Sequence, residues 1–269
     1  MPPPVVALMS DFGTRDHYAG AMKGAVLQVC PEATLVDISH DIPPHDRQGA
    51  ALQLAAAWRY FPVGTVFLVV VDPGVGSARR ALAADTGDYR FVAPDNGVLT
   101  AVFKEAPPKR VVELTARRYR RPTVSRTFEG RDLFAPAAAW LANGVQVSAL
   151  GRPARDLRVL DLPVVEVSQD RVLGEVVHVD RFGNLVTNID RATAERFASR
   201  GAIEITVASQ TIGRLVETYS DLLGHEVGAL FGSTEYLEIA ANATSAAVRL
   251  GVAHRAPVRI THVRSNDTL

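Results

Sequence analysis

The sequence predicts a two-domain α/β protein. An N-terminal α/β domain with a mainly parallel central sheet spans residues 1–151. A linker covers 152–163, and a smaller, antiparallel, β-barrel-like domain covers 164–269. Three observations carry this prediction. Up to Gly151, short apolar runs alternate with Ala- and Leu-rich stretches at helical spacing. Val66 to Val71 is an unbroken apolar, largely β-branched run, the pattern of a strand covered on both faces. Beyond Val164 the helical signal thins, and β-rich segments separated by turn residues take over.

Val5 to Met9 reads as a first strand, stopped by the polar, Gly-containing turn Ser10-Asp11-Phe12-Gly13-Thr14. His17 to Val29 carries Ala, Met, Val and Leu at helical spacing. Thr34 to Ser39 is a second strand, followed by a loop that Pro43 and Pro44 make rigid and extended. Gln48 to Phe61 is an Ala/Leu-rich helix that leads into the central strand. That strand cannot continue past Val71: Asp72 is followed by Pro73, Gly74 and Gly76, which end the ladder and let backbone approach a ligand closely. Asp72 therefore sits where a strand ends in a Gly-rich turn, the usual place for a binding site in an α/β sheet, with Arg79 near enough to reach back. The same letters also suit an ordinary strand exit with a turn-capping Asp.

Ala81 to Asp85 and Phe91 to Ala93 form a hairpin pair around Thr86-Gly87. Asp95-Asn96-Gly97 is a turn, Val98 to Glu105 a short helix, Arg110 to Leu114 a strand, and Leu133 to Asn143 a helix. The Arg-dense stretch 117–126 lacks interleaved aromatics beyond Tyr119 and reads as a solvated or salt-bridged surface rather than a nucleic-acid patch. Residues 152–163, with two prolines and several Arg and Asp, read as the linker. The second domain is expected to hold strands at 172–179, 185–189, 203–207, 227–231, 236–239, 247–250 and 258–263, with one helix at 191–199.

Lys+Arg and Asp+Glu both number 29, so no net charge draws the chain onto nucleic acid or an anionic membrane. The lone cysteine, Cys30, cannot form an intrachain disulfide, so nothing requires an oxidising compartment. The N-terminal stretch MPPPVVALMSDFG lacks the basic start of a secretory leader, and no uninterrupted apolar run approaches a membrane span. The expectation is a soluble cytoplasmic protein. Walker A, GxGxxG, GxSxG and HExxH patterns are absent, and the histidines are scattered, so neither a cofactor nor a metal site is expected.

Several polar residues stand at strand ends or loops: Ser10 and Asp11, Asp72 with Arg79, Glu129 with Arg131 and Asp132, Asp180 to Asn184, and the segment from Gly232 to Glu238. An Asp suits a vicinal diol, since one carboxylate accepts from both hydroxyls. An Asn suits a purine edge, since it donates and accepts at once.

In these segments the chain resembles the S-adenosylmethionine (SAM) hydroxide adenosyltransferase family, SAM hydrolases related to the fluorinating and chlorinating enzymes that attack SAM with halide. The resemblance covers nearly the whole chain. It rests on SDFGTRD (10–16), DISHDIPPHD (37–46), VDPGVGSARR (71–80), APDNG (93–97), TFEGRDLFAPAAA (127–139), DRFGNLVTNI (180–189) and GSTEYLEIAANA (232–243). It implies an α/β domain followed by a β-barrel-like domain, and a homotrimer with SAM bound between one subunit's N-terminal domain and its neighbour's C-terminal domain. By motif position, Asp11 would hold the ribose hydroxyls and Asn184 the adenine edge. Asp180 and Ser233 would hold the methionine part with Glu238 nearby, and Tyr219 would stack on the adenine. The family's catalytic Asp and Arg fall on Asp72 and Arg79. Its His, in a TFHGRD segment, is replaced here by Glu129. An ionised Glu only accepts hydrogen bonds where a neutral His can do both, and a second carboxylate beside Asp72 raises one of the pair's pKa values unless Arg79 compensates.

The implied activity is hydrolysis of SAM, as either sulfonium epimer, to adenosine and L-methionine by in-line attack of water on C5′, with Glu129 as an alternative base. Gly130 at the position of the halide enzymes' serine, and DPGVG in place of a YPATG-like segment, favour water over halide. The alternative is a SAM- or adenosine-binding protein in which the loss of that His has removed turnover. Glu129 pairing with Arg131, away from the substrate, is the corresponding structural alternative.

Overall fold

A computed structural model describes residues 2–263. The chain divides into two compact units, with the boundary between Leu162 and Pro163.

The first unit is built on a seven-stranded sheet in the order β2-β1-β3-β5-β4-β6-β7. Its strands are β1 (Val5–Ser10), β2 (Thr34–Ser39), β3 (Val66–Val70), β4 (Ala81–Asp85), β5 (Arg90–Pro94), β6 (Arg110–Leu114) and β7 (Gly151–Pro153). The four strands from β2 to β5 run parallel, and β4, β6 and β7 are added antiparallel. Helices α1 (Tyr18–Val29), α2 (Arg47–Ala57), α3 (Thr100–Glu105) and α4 (Ala135–Ala142) cover the faces. Alternation along the strands sorts the core into two layers. Val6, Leu8, Leu68 and Val70 pack with Met22, Val26 and Phe134. Ala7, Met9, Phe67 and Val69 pack with Ala50, Leu54, Trp58 and Val102. Phe67 and Phe91 stack with centroids 5.0 Å apart, and each is fully buried, which stabilises the fold by about 2–3 kcal/mol per ring.

The helix expected over 48–61 is α2 followed by a 3₁₀ turn, Trp58–Tyr60. Its start is fixed by Asp46, which accepts from the Gly49 N–H at 2.8 Å. The helix expected from Leu133 begins earlier, in a π-helical turn at Gly130–Phe134 that runs into α4. π-turns commonly mark functional sites. Residues 152–162 lie against the first unit. Arg152 and Pro153 pair with β6, Arg80 donates to the carbonyls of Arg155 (2.8 Å) and Asp156 (2.9 Å), and Leu162 is buried.

The second unit is an antiparallel sheet that curls toward a barrel, in the order β12-β11-β15-β9-β10-β14-β13, with β8 paired to β9. Its strands are β8 (Glu166–Val167), β9 (Arg171–Val179), β10 (Leu185–Asp190), β11 (Ile203–Val207), β12 (Gln210–Ile212), β13 (Val227–Phe231), β14 (Tyr236–Ala241) and β15 (Pro257–His262). The two ends of that path meet through a bridge between Leu215 and Ala229. Helix α5 (Arg191–Ala198) starts at Asp190, which accepts from Thr193 N–H. One expectation is overturned: residues 247–250 are not a strand but lie in α6 (Ala246–Leu250). Ser245 caps this helix by accepting from Val248 N–H, and Gly251 ends it in a left-handed conformation.

Candidate active site

In the first unit, the sheet puts the site residues together before any side chain is considered. β1 and β3 are parallel neighbours, with Ser10 opposite Val70, so Asp11 and Asp72 leave adjacent strands at their C-terminal ends. The strand exit at Asp72 is closed by local bonds. Asp72 Oδ1 accepts from Gly74 N–H, and Asp72 O accepts from Val75 N–H. Buried Asn96 braces the exit from the next loop, donating to the Val71 carbonyl at 2.8 Å.

Arg79 reaches back onto Asp72. Its Nε donates to both carboxylate oxygens, at 3.1 and 2.9 Å, and its Nη2 donates to Oδ2. The same Nη2 donates to Glu129 Oε2. The three side chains are 5%, 8% and 16% exposed for Asp72, Arg79 and Glu129, so this is a nearly buried carboxylate–guanidinium–carboxylate cluster. Phe134 lies under the guanidinium at 5.1 Å. Burial on its own would lower the Arg79 pKa. The hydrogen bonds and charges of Asp72, and then of Glu129, outweigh it and hold the group above its ordinary value.

Glu129 is delivered by a loop anchored on Asp132, which is 1% exposed. Asp132 accepts from Ser125 N–H and from the Arg131 guanidinium, and these bonds, after the opposing effect of burial, hold its carboxyl below the usual range. Arg131 is thus engaged by Asp132, and the pairing of Glu129 with Arg131 is overturned: Glu129 turns to Arg79. The loop also crosses the Asp72 turn, where Arg126 donates to the Gly76 carbonyl at 2.6 Å. Gly76 has φ +75, and a Cβ there would lie 2.6 Å from the Arg126 carbonyl oxygen, so only glycine fits this crossing.

Asp11 is held by a second network that sequence reasoning missed. Asp11 Oδ2 accepts from His45 N–H at 2.9 Å, and Gly13 N–H donates to the His40 carbonyl at 2.7 Å. Beneath them, fully buried Ser10 bonds through Oγ to His40 Nδ1 at 2.7 Å, and His40 Nε2 bonds to Asp37 at 3.1 Å. Burial pushes Asp37 up, but Lys23 and His40 outweigh it and hold the carboxyl below its usual range. The only sign of this network in the letters was the DISHDIPPHD segment itself.

The second unit gathers the remaining residues near the β9–β10 and β13–β14 turns. Asp180 Oδ1 accepts from the backbone N–H groups of Phe182 and Asn184, while Oδ2 accepts from Asn184 Nδ2 at 2.9 Å. Tyr219, 42% exposed, donates its hydroxyl to Glu238 Oε2 at 2.8 Å, so its ring is anchored at one end. Burial raises the Tyr219 pKa to about 12, with further contributions from Glu238 and Asp180. Glu238 is buried, and that burial and the charge of Asp180 push its carboxyl above the usual range against the opposing Tyr219 bond. Its Oε1 sits where a Cβ on Gly232 would be, next to Ser233 in the β13–β14 turn. No group of His, Cys, Asp or Glu among the described residues is arranged to hold a metal.

A strand-end carboxylate, Asp72, that shares one arginine with the loop residue Glu129, in an α/β unit followed in the chain by a barrel-like unit with an Asp/Asn turn and a Tyr–Glu pair, is the class of site found in enzymes of polar small molecules. The pattern of the SAM hydroxide adenosyltransferase N-terminal domain matches residues 6–151, and that of its C-terminal domain matches residues 174–259. The chain belongs to this family. It is 39% identical to the (R)-S-adenosyl-L-methionine hydrolase of Thermus thermophilus, over 95% of this chain and 98% of that protein. The protein of the same name from Salinispora tropica is 36% identical, over 97% and 98%. A fluorinase from Nocardia brasiliensis is 29% identical, over 91% and 92%. A crystal structure of a conserved protein from Thermotoga maritima superposes with a TM-score of 0.89 at 33% identity, over 95% of this chain and 99% of that one.

Proposed function

We propose that the protein hydrolyses S-adenosylmethionine to adenosine and L-methionine, and that the (R)-sulfonium epimer is its substrate. The observation that carries this is the buried Asp72–Arg79–Glu129 cluster at the strand ends beside Asp11, in a chain whose hydrolase relatives act on that epimer by name.

The chemistry follows from the groups present. The sulfonium makes methionine a good leaving group, so the protein's task is to place one water in line behind C5′ and take its proton. A C–O bond forms, the C5′–S bond breaks, and its electron pair stays on sulfur. Asp72 accepts the water proton. Arg79 fixes Asp72 bidentately and also donates to Glu129. Glu129 supplies a second acceptor in the place of the family's histidine. Asp11 holds the ribose hydroxyls and Asn184 the adenine edge. Tyr219 packs on the base, while Asp180, Ser233 and Glu238 hold the amino-acid end. Asn184 has one amide proton on Asp180 and keeps its carbonyl and second proton for the purine.

The working unit is a homotrimer in which first-domain residues of one subunit and second-domain residues of a neighbour share one SAM. Light scattering gives its mass directly. The decisive experiment for the activity is adenosine release from purified (R)- and (S)-SAM, followed by chromatography under single-turnover conditions. Faster release from the (R)-epimer is expected. Tight SAM binding with no adenosine from either epimer would make the chain a binding protein.

A further inference from the structure

The first unit holds a cavity of about 310 Å³ to which none of Asp11, Asp72, Arg79 and Glu129 contributes. That volume is at the lower end of small-molecule sites. Its wall is mostly apolar: Leu82, Leu99, Phe103, Pro108, Leu157 and Val159. One side is a strap, residues 157–160, which two bonds hold in place. Arg158 N–H donates to Asp95 Oδ1 at 2.9 Å, and Leu160 N–H donates to Thr100 Oγ1 at 2.9 Å. Gly97 lets the strap pass close: its φ is +89, and a Cβ there would lie 2.6 Å from Leu160 Cγ. The cavity is thus framed by fixed backbone rather than left by loose packing. The charged groups that line it fall into two kinds. Asp95 is buried with both oxygens committed, Oδ1 to Arg158 N–H and Oδ2 to Arg80 Nε at 2.8 Å. The cations Lys104, on α3, and Arg158, on the strap, are exposed, and neither side chain is paired among the described residues. An apolar body with one anionic end complements such a cavity.

We infer that this cavity is a second ligand site, for a small aryl or alkyl monocarboxylate, and that its occupancy tightens the Asp72 turn. The site itself stands apart from SAM hydrolysis; the effect on turnover rests on that reading. The link is the turn Asp95-Asn96-Gly97. Asp95 and Gly97 line the cavity, while Asn96 between them donates to the Val71 carbonyl at 2.8 Å, one residue before Asp72. Asp95 also holds Arg80, the neighbour of Arg79. One turn therefore has the cavity against it and braces the strand exit. An occupant packs its apolar body against Gly97 and Leu99, and its carboxylate draws in Lys104 from α3 and Arg158 from the strap. Both effects hold the turn more firmly, and a better-held Asp72 needs less reorganisation in the displacement step.

The test uses the full-length protein and 4-phenylbutyrate, with 4-phenylbutan-1-ol as its uncharged counterpart. Binding is measured by calorimetry with adenosine and methionine in excess, which needs no turnover and keeps the probe out of the SAM site. The expected result is saturable binding of phenylbutyrate, at least about fivefold tighter than the alcohol. A double variant, Lys104→Glu with Arg158→Glu, changes two exposed side chains outside the proposed SAM site. It should melt like wild type and lose the preference for the acid. In single-turnover assays with (R)-SAM, phenylbutyrate should raise adenosine release by wild type at least about twofold, over the concentrations at which it binds, and leave the double variant unchanged. Absence of binding overturns the site, as does equal binding of the acid by wild type and the double variant. Acid and alcohol binding equally overturns the ligand class. A rate unchanged or lowered at saturating phenylbutyrate overturns the link to the Asp72 turn. A wild type that releases no adenosine but shows the expected calorimetry removes the hydrolysis reading and leaves the second site standing.

Discussion

Asp72→Asn separates chemistry from architecture at the centre of the cluster. The substitution keeps the size of the side chain and one acceptor oxygen. It removes the charge and the bidentate grip of Arg79, whose Nε now lies 3.1 and 2.9 Å from the two oxygens. Breaking a buried pair by removing one partner costs about 3–5 kcal/mol when the survivor is left alone. Arg79 is not left alone, because Glu129 still accepts from Nη2. The loss is therefore closer to one charged hydrogen bond, about 1.5–3 kcal/mol. The chemical loss should be larger. Removing a general base lowers the rate by about 10²–10⁴-fold, or about 3–5 kcal/mol of barrier. Single-turnover adenosine release and a thermal melt on the same preparation measure both. The expected outcome is a first-unit transition lowered by several degrees, SAM binding retained, and the chemical step slowed at least about a hundredfold. If adenosine release stays within about threefold of wild type while the melt falls, Asp72 only anchors Arg79 and the assignment of the base is wrong.

Two further predictions concern the second unit. Burial, together with the charge of Asp180, raises the Glu238 carboxyl, so the folded state favours its protonated form. That contribution is full below the ordinary carboxylate range and is lost as pH rises through the raised value. Glu238→Gln should then melt like wild type near pH 4 and above it at pH 8, while keeping an acceptor for Tyr219; a melting difference that does not change with pH would contradict this. Gly183 has φ +85, and a Cβ there would lie 2.0 Å from Ser245 Oγ, in the loop that joins Asp180 to Asn184. Gly183→Ala should weaken adenosine binding by calorimetry at least about tenfold, with a cost of about 1–3 kcal/mol from backbone strain alone. Unchanged binding would mean that the Asp180–Asn184 loop does not face the ligand.

The parts of the site legible in the sequence are those set by a short stretch of chain. Asp72 could be placed because a β-branched run must stop where Pro and Gly follow it, and Asp11 because a short strand runs into a polar turn. Contacts across long separations were not legible from pattern. Glu129 and Arg79 are 50 residues apart, and the letters around Glu129 offered Arg131 as an alternative partner. What decides the pairing is Asp132, a buried carboxylate that takes Arg131 and leaves Glu129 free to turn inward. Strands β7, β8 and β12 are too short to show alternation. Helix α6 was misread because Ala247 to Leu250 is apolar enough for a strand. The serine before it and the glycine after it were the signals that a helix starts and stops there.

The Ser10–His40–Asp37 chain bears on how the site works, although it is not a nucleophile triad. Ser10 is fully buried and its hydroxyl meets Nδ1 of the imidazole, so it has no route to a substrate. It serves the turn instead: Ser10 Oγ also accepts from Phe12 N–H at 3.3 Å, on the far side of Asp11. With the Gly13–His40 and His45–Asp11 bonds, this ties the exit of β1 to the Pro-rich loop after β2. One Asp11 oxygen is committed to that loop before any ligand arrives, which fixes the carboxylate's direction. The Asp72–Arg79–Glu129 cluster is fixed in the same way, by bonds it makes in the folded chain. A carboxylate already aimed needs no reorganisation when charge shifts from C5′ to sulfur, and preorganisation of that kind is what lowers a displacement barrier. Asp11 and Asp72, the residues proposed for ribose and nucleophile, leave neighbouring parallel strands whose register is set by the core beneath them, so the in-line geometry proposed for water is a property of the sheet before it is a property of any one side chain.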